Sequence, residues 1–431
     1  MRTLHYYTPT LIRPQCTTLV QTTKHVQKME EMMNMPQLRS SSLSSSSPPL
    51  SKKVGTRWKE YQGMNNWDGL LDPLDENLRA EILRYGHFVE AAYKSFEFDP
   101  SSPNYATCKF QKNKLFEQCG LHNTGYKVTK HLRATSGIKL PSWVDKAQSR
   151  VATESSYVGY VAVCNDKEEI KRLGRRDIVV AFRGTATCLE WLENLRATLT
   201  NVSVPSVATG TTAEPDSMDG KGAMVESGFL SLYTSAVSSN QSFLSLQDMV
   251  RKEIGRILKT YEGENLSLTI TGHSLGAALA TLTAYDIKNS FLLQPPVTVI
   301  SFGGPRVGNR SFRQQLEESG IKVLRIVNSD DVITKVPGFV FDDVGKTDDD
   351  VACNGGVHVV QRWIRKRAEE VQWLLYSEVG KELRLCSRDS PYLRGVNIAT
   401  CHDLNTYLHL VDGFVSSTCP FRSTAKRFLQ H

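Results

Sequence analysis

The chain predicts an α/β fold, a central and mostly parallel sheet with helices over both faces. Short apolar, β-branched runs recur at Asp177–Phe182 (DIVVAF), Leu266–Ile270, Val297–Gly303 (VTVISFG) and Lys322–Val327 (KVLRIV). Strands buried on both faces read this way, as near-continuous hydrophobic runs. Helix-period stretches separate them, and that alternation is the pattern of a sheet wound by crossover helices. The third observation is local. At Leu266–Ala280 (LSLTITGHSLGAALA) a strand pattern passes through Gly272-His273-Ser274-Leu275-Gly276 straight into a helix of small residues.

Residues 1–55 do not read as part of that fold. They are rich in Ser and Thr, include RSSSLSSSS at Arg39–Ser47, and carry seven Lys and Arg against only Glu30 and Glu31. They contain no apolar core long enough for a secretory signal, so they predict a disordered organelle transit peptide. From 56 to 431 one domain is expected, since α/β folds hold that length around a single core. Its first part, about 57–140, reads as a mostly helical extension, with helical periodicity at Glu76–Phe96 and an irregular stretch at Asp99–Lys130. The sheet pattern begins near Tyr157. Thr200–Ala223 reads as a surface loop, and Phe341–Gly356, with Asp342, Asp343, Asp348, Asp349 and Asp350, as an acidic excursion.

The strand–turn–helix at Ser274 is where chemistry is expected. G-x-S-x-G in this context forms a sharp elbow that holds the serine in a strained conformation at the sheet's edge. Neighbouring strand and helix leave no room for Cβ atoms two residues either side, hence Gly272 and Gly276. The new helix N-terminus aims free N–H groups at an incoming oxyanion.

A serine nucleophile needs a base, and the base an orienting acid; in this architecture they follow in the order Ser, Asp or Glu, His. The strand Lys322–Val327 runs into Asn328-Ser329-Asp330-Asp331, which puts a carboxylate just past a strand's C-terminal end. Asp331 is the choice and Asp330 the rival, because neighbours on an extended segment point opposite ways. After Asp331 come His358, His402, His409 and His431. His358 sits in a Gly-containing stretch that reads as a surface loop, and His431 is terminal. His402, at the entrance to a helical pattern (HDLNTYLHLV), is favoured, with His409 a packed or hydrogen-bonding residue. His273 is turned away by the elbow. For the oxyanion, the strand DIVVAF ends in Arg183-Gly184-Thr185, so Thr185 supplies one backbone N–H and Leu275, after the nucleophile, the other. The reaction expected is acyl transfer from an ester to water.

These residues also carry a resemblance. FRGT at Phe182–Thr185, EWLENL at Glu190–Leu195, GHSLG, and SFGGPRVGN at Ser301–Asn309 resemble the class 3 lipase family in order and spacing. RWKEYQG at Arg57–Gly63, LLDPLDE at Leu70–Glu76, VNSDDVITKVP at Val327–Pro337 and CHDLNTYLHLVDG at Cys401–Gly413 resemble its plant branch. These are the plastid phospholipase A1 enzymes of class I, related to the "defective in anther dehiscence" acylhydrolases. The resemblance implies an α/β-hydrolase fold, with Ser274 as nucleophile, Asp331 as acid and His402 as base. It implies hydrolysis of the sn-1 ester of glycerolipids met at a membrane surface, with phosphatidylcholine, galactolipid and triacylglycerol as candidates. It also implies a lid after the oxyanion strand, with Leu189, Trp191 and Leu192 touching lipid. The chain departs from the family pattern at Thr334, where a proline is common, and at Ala277. Ser richness and resemblance together favour chloroplast over mitochondrion as the leader's destination. Alternative readings are a neutral-lipid or soluble-ester esterase and a non-catalytic lipase-like binding or signalling protein; the latter usually lacks a triad member, and here all three positions are filled.

Composition excludes other classes. The net charge of +7 lies largely in the leader, and no basic stripe with stacking residues supports nucleic-acid binding. The basic cluster Arg362–Arg367 reads as a solvated helix face. Nine scattered cysteines form no CxxC or metal-ligand spacing, and the aspartates of the acidic excursion do not fit an EF-hand loop. Neither metal nor cofactor is expected. No apolar run is long enough to span a bilayer.

Overall fold

A computed structural model describes residues 54–99, 101–135, 155–185, 198–202, 222–236, 244–291, 294–336, 376–393 and 397–422. Eleven strands are described: β1 (Tyr126–Ala134), β2 (Ser156–Cys164), β3 (Arg176–Phe182), β4 (Leu199–Asn201), β5 (Met224–Glu226), β6 (Leu266–His273), β7 (Val297–Phe302), β8 (Gly308–Asn309), β9 (Lys322–Asn328), β10 (Tyr376–Ser377) and β11 (Lys381–Leu385). The helices among these residues are α1 (Val54–Tyr61), α2 (Glu76–Lys94), α3 (Leu115–Gln118), α4 (Lys167–Leu173), α5 (Ser227–Thr234), α6 (Leu246–Thr260), α7 (Leu275–Ser290), α8 (Arg310–Glu318), α9 (Ile398–His402) and α10 (Leu404–Gly413).

The main sheet has the order β1-β2-β3-β6-β7-β9-β11. From β3 to β11 every pairing is parallel, so the C-terminal ends of β3, β6 and β9 lie along one edge. β1 and β2 add an antiparallel margin. A small second sheet joins β10, β8, β5 and β4. The two faces are sorted by the period of two along each strand. On β3, Val179 and Ala181 enter the core that holds α2 and α10, while Ile178, Val180 and Phe182 enter the core that holds α6 and α7. This is the α/β-hydrolase arrangement expected from the sequence.

Helix α7 explains its own composition. Every residue from Leu275 to Ile287 is buried, and the alanines and glycine among them let the helix axis lie close on the sheet. Helix α6 is amphipathic instead, with a capping box between Ser245 and Asp248 at its start.

The expected helical extension needs one correction. Helix α2 is present, but the stretch read as irregular ends in a strand, β1, at the sheet's margin. Its alternation is broken by a register shift between Val128 and Lys130, which spoils the period in the sequence. The extension is tied to the sheet by a buried polar cluster. Asp177, fully buried, accepts from Tyr85 (2.9 Å), Tyr126 (2.7 Å) and Ser267 (2.6 Å). Arg175 joins Ser267 to Glu81, and Glu81 pairs with Arg84 at 2.6 Å. With so many donors around it the carboxylate is well solvated by protein, and α2 is held by more than apolar packing.

Candidate active site

Strand β6 delivers Ser274 to the sheet edge with φ 58° and ψ −127°, a left-handed backbone that an L-residue adopts only under constraint. The constraint is the packing of α7 onto β3. A Cβ on Gly276 would stand 2.6 Å from the carbonyl oxygens of both Phe182 and Arg183. A Cβ on Gly272 would collide with the Gly276 carbonyl, so both glycines of the pentapeptide serve the approach of backbone to backbone. The end of β3 reaches Ser274 equally closely: a Cβ on Gly184 would lie 2.9 Å from the Ser274 Cβ.

Past β9, Asp331 caps the short 3₁₀ turn Val332–Lys335, accepting the Ile333 N–H at Oδ1 (2.9 Å). Its other oxygen, Oδ2, accepts from His402 Nδ1 at 2.7 Å and from the Tyr407 hydroxyl at 2.6 Å. Asp331 is fully buried, and burial beside that carboxylate raises the Tyr407 pKa well above its usual range, so the phenol stays a donor. A carboxylate accepts only, so His402 Nδ1 carries the proton and Nε2 is the basic atom. Asp330 points elsewhere, to Arg388 at 3.0 Å and the Cys386 thiol. The Thr334 hydroxyl closes the turn on the Asp331 carbonyl at 2.9 Å, so the turn forms without the proline common at that place.

His402 does not open a helix, as its sequence context suggests. It ends α9, and the next residue, Asp403, caps α10 by accepting from the Asn405 and Thr406 amides. The break lets α10 bring Tyr407 back under Asp331. His409 lies buried on α10 and contacts Ser390 Oγ at 2.7 Å, in the packing role expected of it. His273 Nε2 meets the His402 carbonyl at 2.7 Å, and the two rings lie 4.7 Å apart, so His402 stands beside the elbow.

At the end of β3 the Gly184 N–H donates to the Tyr93 hydroxyl at 2.8 Å. With that amide engaged, the next one along, Thr185, is the amide this strand end can offer. The Thr185 hydroxyl is buried and has no hydrogen-bond partner among the described residues. Leu275 is the first residue of α7, where an N–H lacks an intrahelical acceptor. Ser274, Asp331, His402, Thr185 and Leu275 are thus drawn to one sheet edge. Leu189, Trp191, Leu192, His358 and the clustered aspartates lie outside the described residues.

Two contributors escaped the sequence reading. Tyr407 had a signal, five residues after His402 in the same amphipathic stretch. Tyr93 had none: it meets His273 from 180 positions away.

A parallel sheet with a strained serine at its edge and a buried Asp–His pair beside it defines a serine hydrolase of the α/β-hydrolase class. The family profile "Lipase (class 3)" matches residues 179–341. Phospholipase A(1) DAD1, chloroplastic, from Arabidopsis thaliana is 64% identical over 377 residues, covering 88% of this chain and 81% of the relative. Galactolipase DONGLE, chloroplastic, from the same plant is 41% identical, covering 85% of this chain and 72% of the relative. Among solved structures, lipase II from Rhizopus niveus is 23% identical, covering 60% of this chain and 76% of that one, with a TM-score of 0.38. The chain belongs to the class 3 lipase family, in its plant phospholipase A1 branch, and is a lipid ester hydrolase.

Proposed function

We propose that this enzyme cleaves the sn-1 ester of glycerolipids with Ser274 as nucleophile, His402 as general base and Asp331 as its orienting acid. The observation that carries the reading is the 2.7 Å contact between His402 Nδ1 and Asp331 Oδ2, which fixes the ring tautomer with Nε2 as the basic atom. Nε2 takes the Ser274 proton as Oγ attacks the ester carbonyl, and the buried carboxylate stabilises the imidazolium. The Thr185 and Leu275 amides hold the oxyanion, each worth about 3–4 kcal/mol in the transition state. Collapse expels the lyso-lipid with the proton from His402. Water, activated by the same ring, then releases the fatty acid.

Substrate class comes from the family. Relatives named phospholipase A(1) and galactolipase share an acylated glycerol and differ in headgroup, so phosphatidylcholine and galactolipid are both proposed substrates, with triacylglycerol a third. The lipid is met at a membrane surface; among the described residues no helix is long and apolar enough to cross one. Residues 1–55 act as a plastid transit peptide, in keeping with the chloroplastic relatives, ahead of one catalytic domain at 56–431.

The test is a panel of phosphatidylcholine labelled separately at sn-1 and sn-2, galactolipid, triacylglycerol and a soluble ester, run on the full chain and on Ser274→Ala. Wild type should release sn-1 fatty acid, and the variant should release none while melting normally. Activity that survives Ser274→Ala removes the assignment. Turnover confined to triacylglycerol or the soluble ester replaces it with an esterase reading. A chain that neither turns over nor reacts with a fluorophosphonate is a binding protein.

A further inference from the structure

We propose that Tyr93, on α2, is a positioning residue for ester hydrolysis. It holds the oxyanion strand end and the backbone of the base in register through one chain of hydrogen bonds. The proposal rests on the assignment of Ser274, Thr185 and His402 given above.

The chain can be read proton by proton. The His402 carbonyl only accepts, so His273 Nε2, 2.7 Å away, carries a hydrogen. His273 is buried, and burial together with the adjacent His402 ring holds its pKa well below the usual value, so the imidazole is neutral and Nδ1 is bare. Nδ1 therefore accepts from the Tyr93 hydroxyl at 2.8 Å. The same hydroxyl oxygen accepts the Gly184 N–H, also at 2.8 Å. Three bonds, each with one permitted direction, join α2, the end of β3, the elbow and the end of α9.

Both ends of that chain bear on catalysis. At one end, tying down the Gly184 amide fixes the rotation of the following peptide, and that peptide presents Thr185. Clearance there is small: a Cβ on Gly184 would be 2.5 Å from the Tyr93 hydroxyl. At the other end, the His402 backbone is anchored by the residue immediately before the nucleophile, so the base and Ser274 share one reference point. Tyr93 touches no reacting atom and acts only through these two. Its ring packs beside His273, with centroids 5.9 Å apart, which Phe would preserve; the hydroxyl alone carries the positioning.

Tyr93→Phe in the full chain tests this on a soluble p-nitrophenyl ester, with active serines counted by a fluorophosphonate so that turnover is expressed per reactive site. The expected result is a kcat lower by about 10- to 100-fold, the range that small misplacement of catalytic groups produces. KM should stay within about twofold, since substrate binding is not touched. Affinity for a trifluoromethyl ketone, which forms a tetrahedral oxyanion on the serine, should fall in proportion to kcat/KM. His273→Asn, whose shorter amide cannot span to the His402 carbonyl, cuts the chain one link on. The double variant should then be little worse than either single one. A wild-type kcat per titrated serine with unchanged ketone affinity overturns the proposal and leaves Tyr93 a packing residue, whatever the melting temperature does; so do losses that simply multiply in the double variant. Ser274→Ala is measured alongside. Turnover that survives it overturns the Ser274 assignment and Tyr93 with it, whereas Ser274-dependent turnover indifferent to Tyr93→Phe overturns Tyr93 alone.

Discussion

Tyr407 and His402 donate to the same oxygen of Asp331, from 2.6 and 2.7 Å. The carboxylate is therefore held from two sides of α10's start, and its remaining oxygen is held by the Ile333 amide. The Tyr407 oxygen in turn accepts the Asn328 N–H at 3.2 Å, so removing it leaves two buried groups short of a partner. Tyr407→Phe is expected to cost about 1.5–3 kcal/mol of stability, as for a buried hydrogen bond to a charged acceptor. It should also lower kcat by about tenfold through a looser Asp331. Urea denaturation and kcat per titrated serine check both, and a wild-type kcat in a destabilised protein would limit Tyr407 to a structural part.

The two neighbouring aspartates should separate sharply. Asp331→Asn is expected to lower kcat by about 10⁴-fold, because an amide at this position lets the imidazole take the wrong tautomer. Asp330 pairs with the exposed Arg388, and a surface pair of that kind is worth about 0–1 kcal/mol, so Asp330→Asn should leave kcat within about twofold. Equal losses in the two variants would reverse the choice of acid.

Ser274 carries backbone strain that a glycine would release. Ser274→Gly should abolish turnover and raise the unfolding free energy by about 1 kcal/mol, the cost of a left-handed conformation less glycine's extra entropy in the unfolded chain. Gly276→Ala should do the opposite, driving α7 off the end of β3 and destabilising by roughly 3 kcal/mol or more. Thermal melts of the two read out the sign; a Ser274→Gly protein no more stable than wild type would argue against stored strain.

Acid should weaken the fold through a histidine that takes no part in the reaction. Burial lowers His409 to about 4, and its Nδ1, the atom that would take the proton, has no hydrogen-bond partner among the described residues. A histidine depressed in the folded state binds its proton first in the unfolded one, so stability is full above about pH 6.5 and falls as pH drops toward 4. The loss is about 2–3 kcal/mol across that window. His409→Leu should flatten the slope of unfolding free energy against pH there, by about one proton. An unchanged slope would place the acid sensitivity elsewhere.

Legibility in the sequence followed the range of the interaction. The strands of the parallel sheet were readable because burial on both faces leaves no polar position to interrupt them. The elbow was readable because its constraints, strain at Ser274 and close approach at Gly272 and Gly276, act within five residues. Asp331 and His402 came from strand ends and chain order. β1 was missed because its bulge near Thr129 breaks the alternation and its outward residues are cationic. The helix break at His402 was hidden because α9 and α10 share one apolar pattern, divided only by the cap at Asp403. Tyr93 and the cluster around Asp177 were invisible, since each joins segments about fifty or more residues apart, and a single sequence records no such pairing.

Because strands β3, β6 and β9 enter the sheet in chain order and the proposed base arrives only after β11, the proposed site is finished late in synthesis. The proposed nucleophile is translated at position 274 and its proposed proton acceptor at 402. For the intervening stretch the ribosome carries that serine without the His402 imidazole proposed to activate it. On the proposed assignment, this lipid ester hydrolase lacks its proton acceptor until nearly all of the chain has been made.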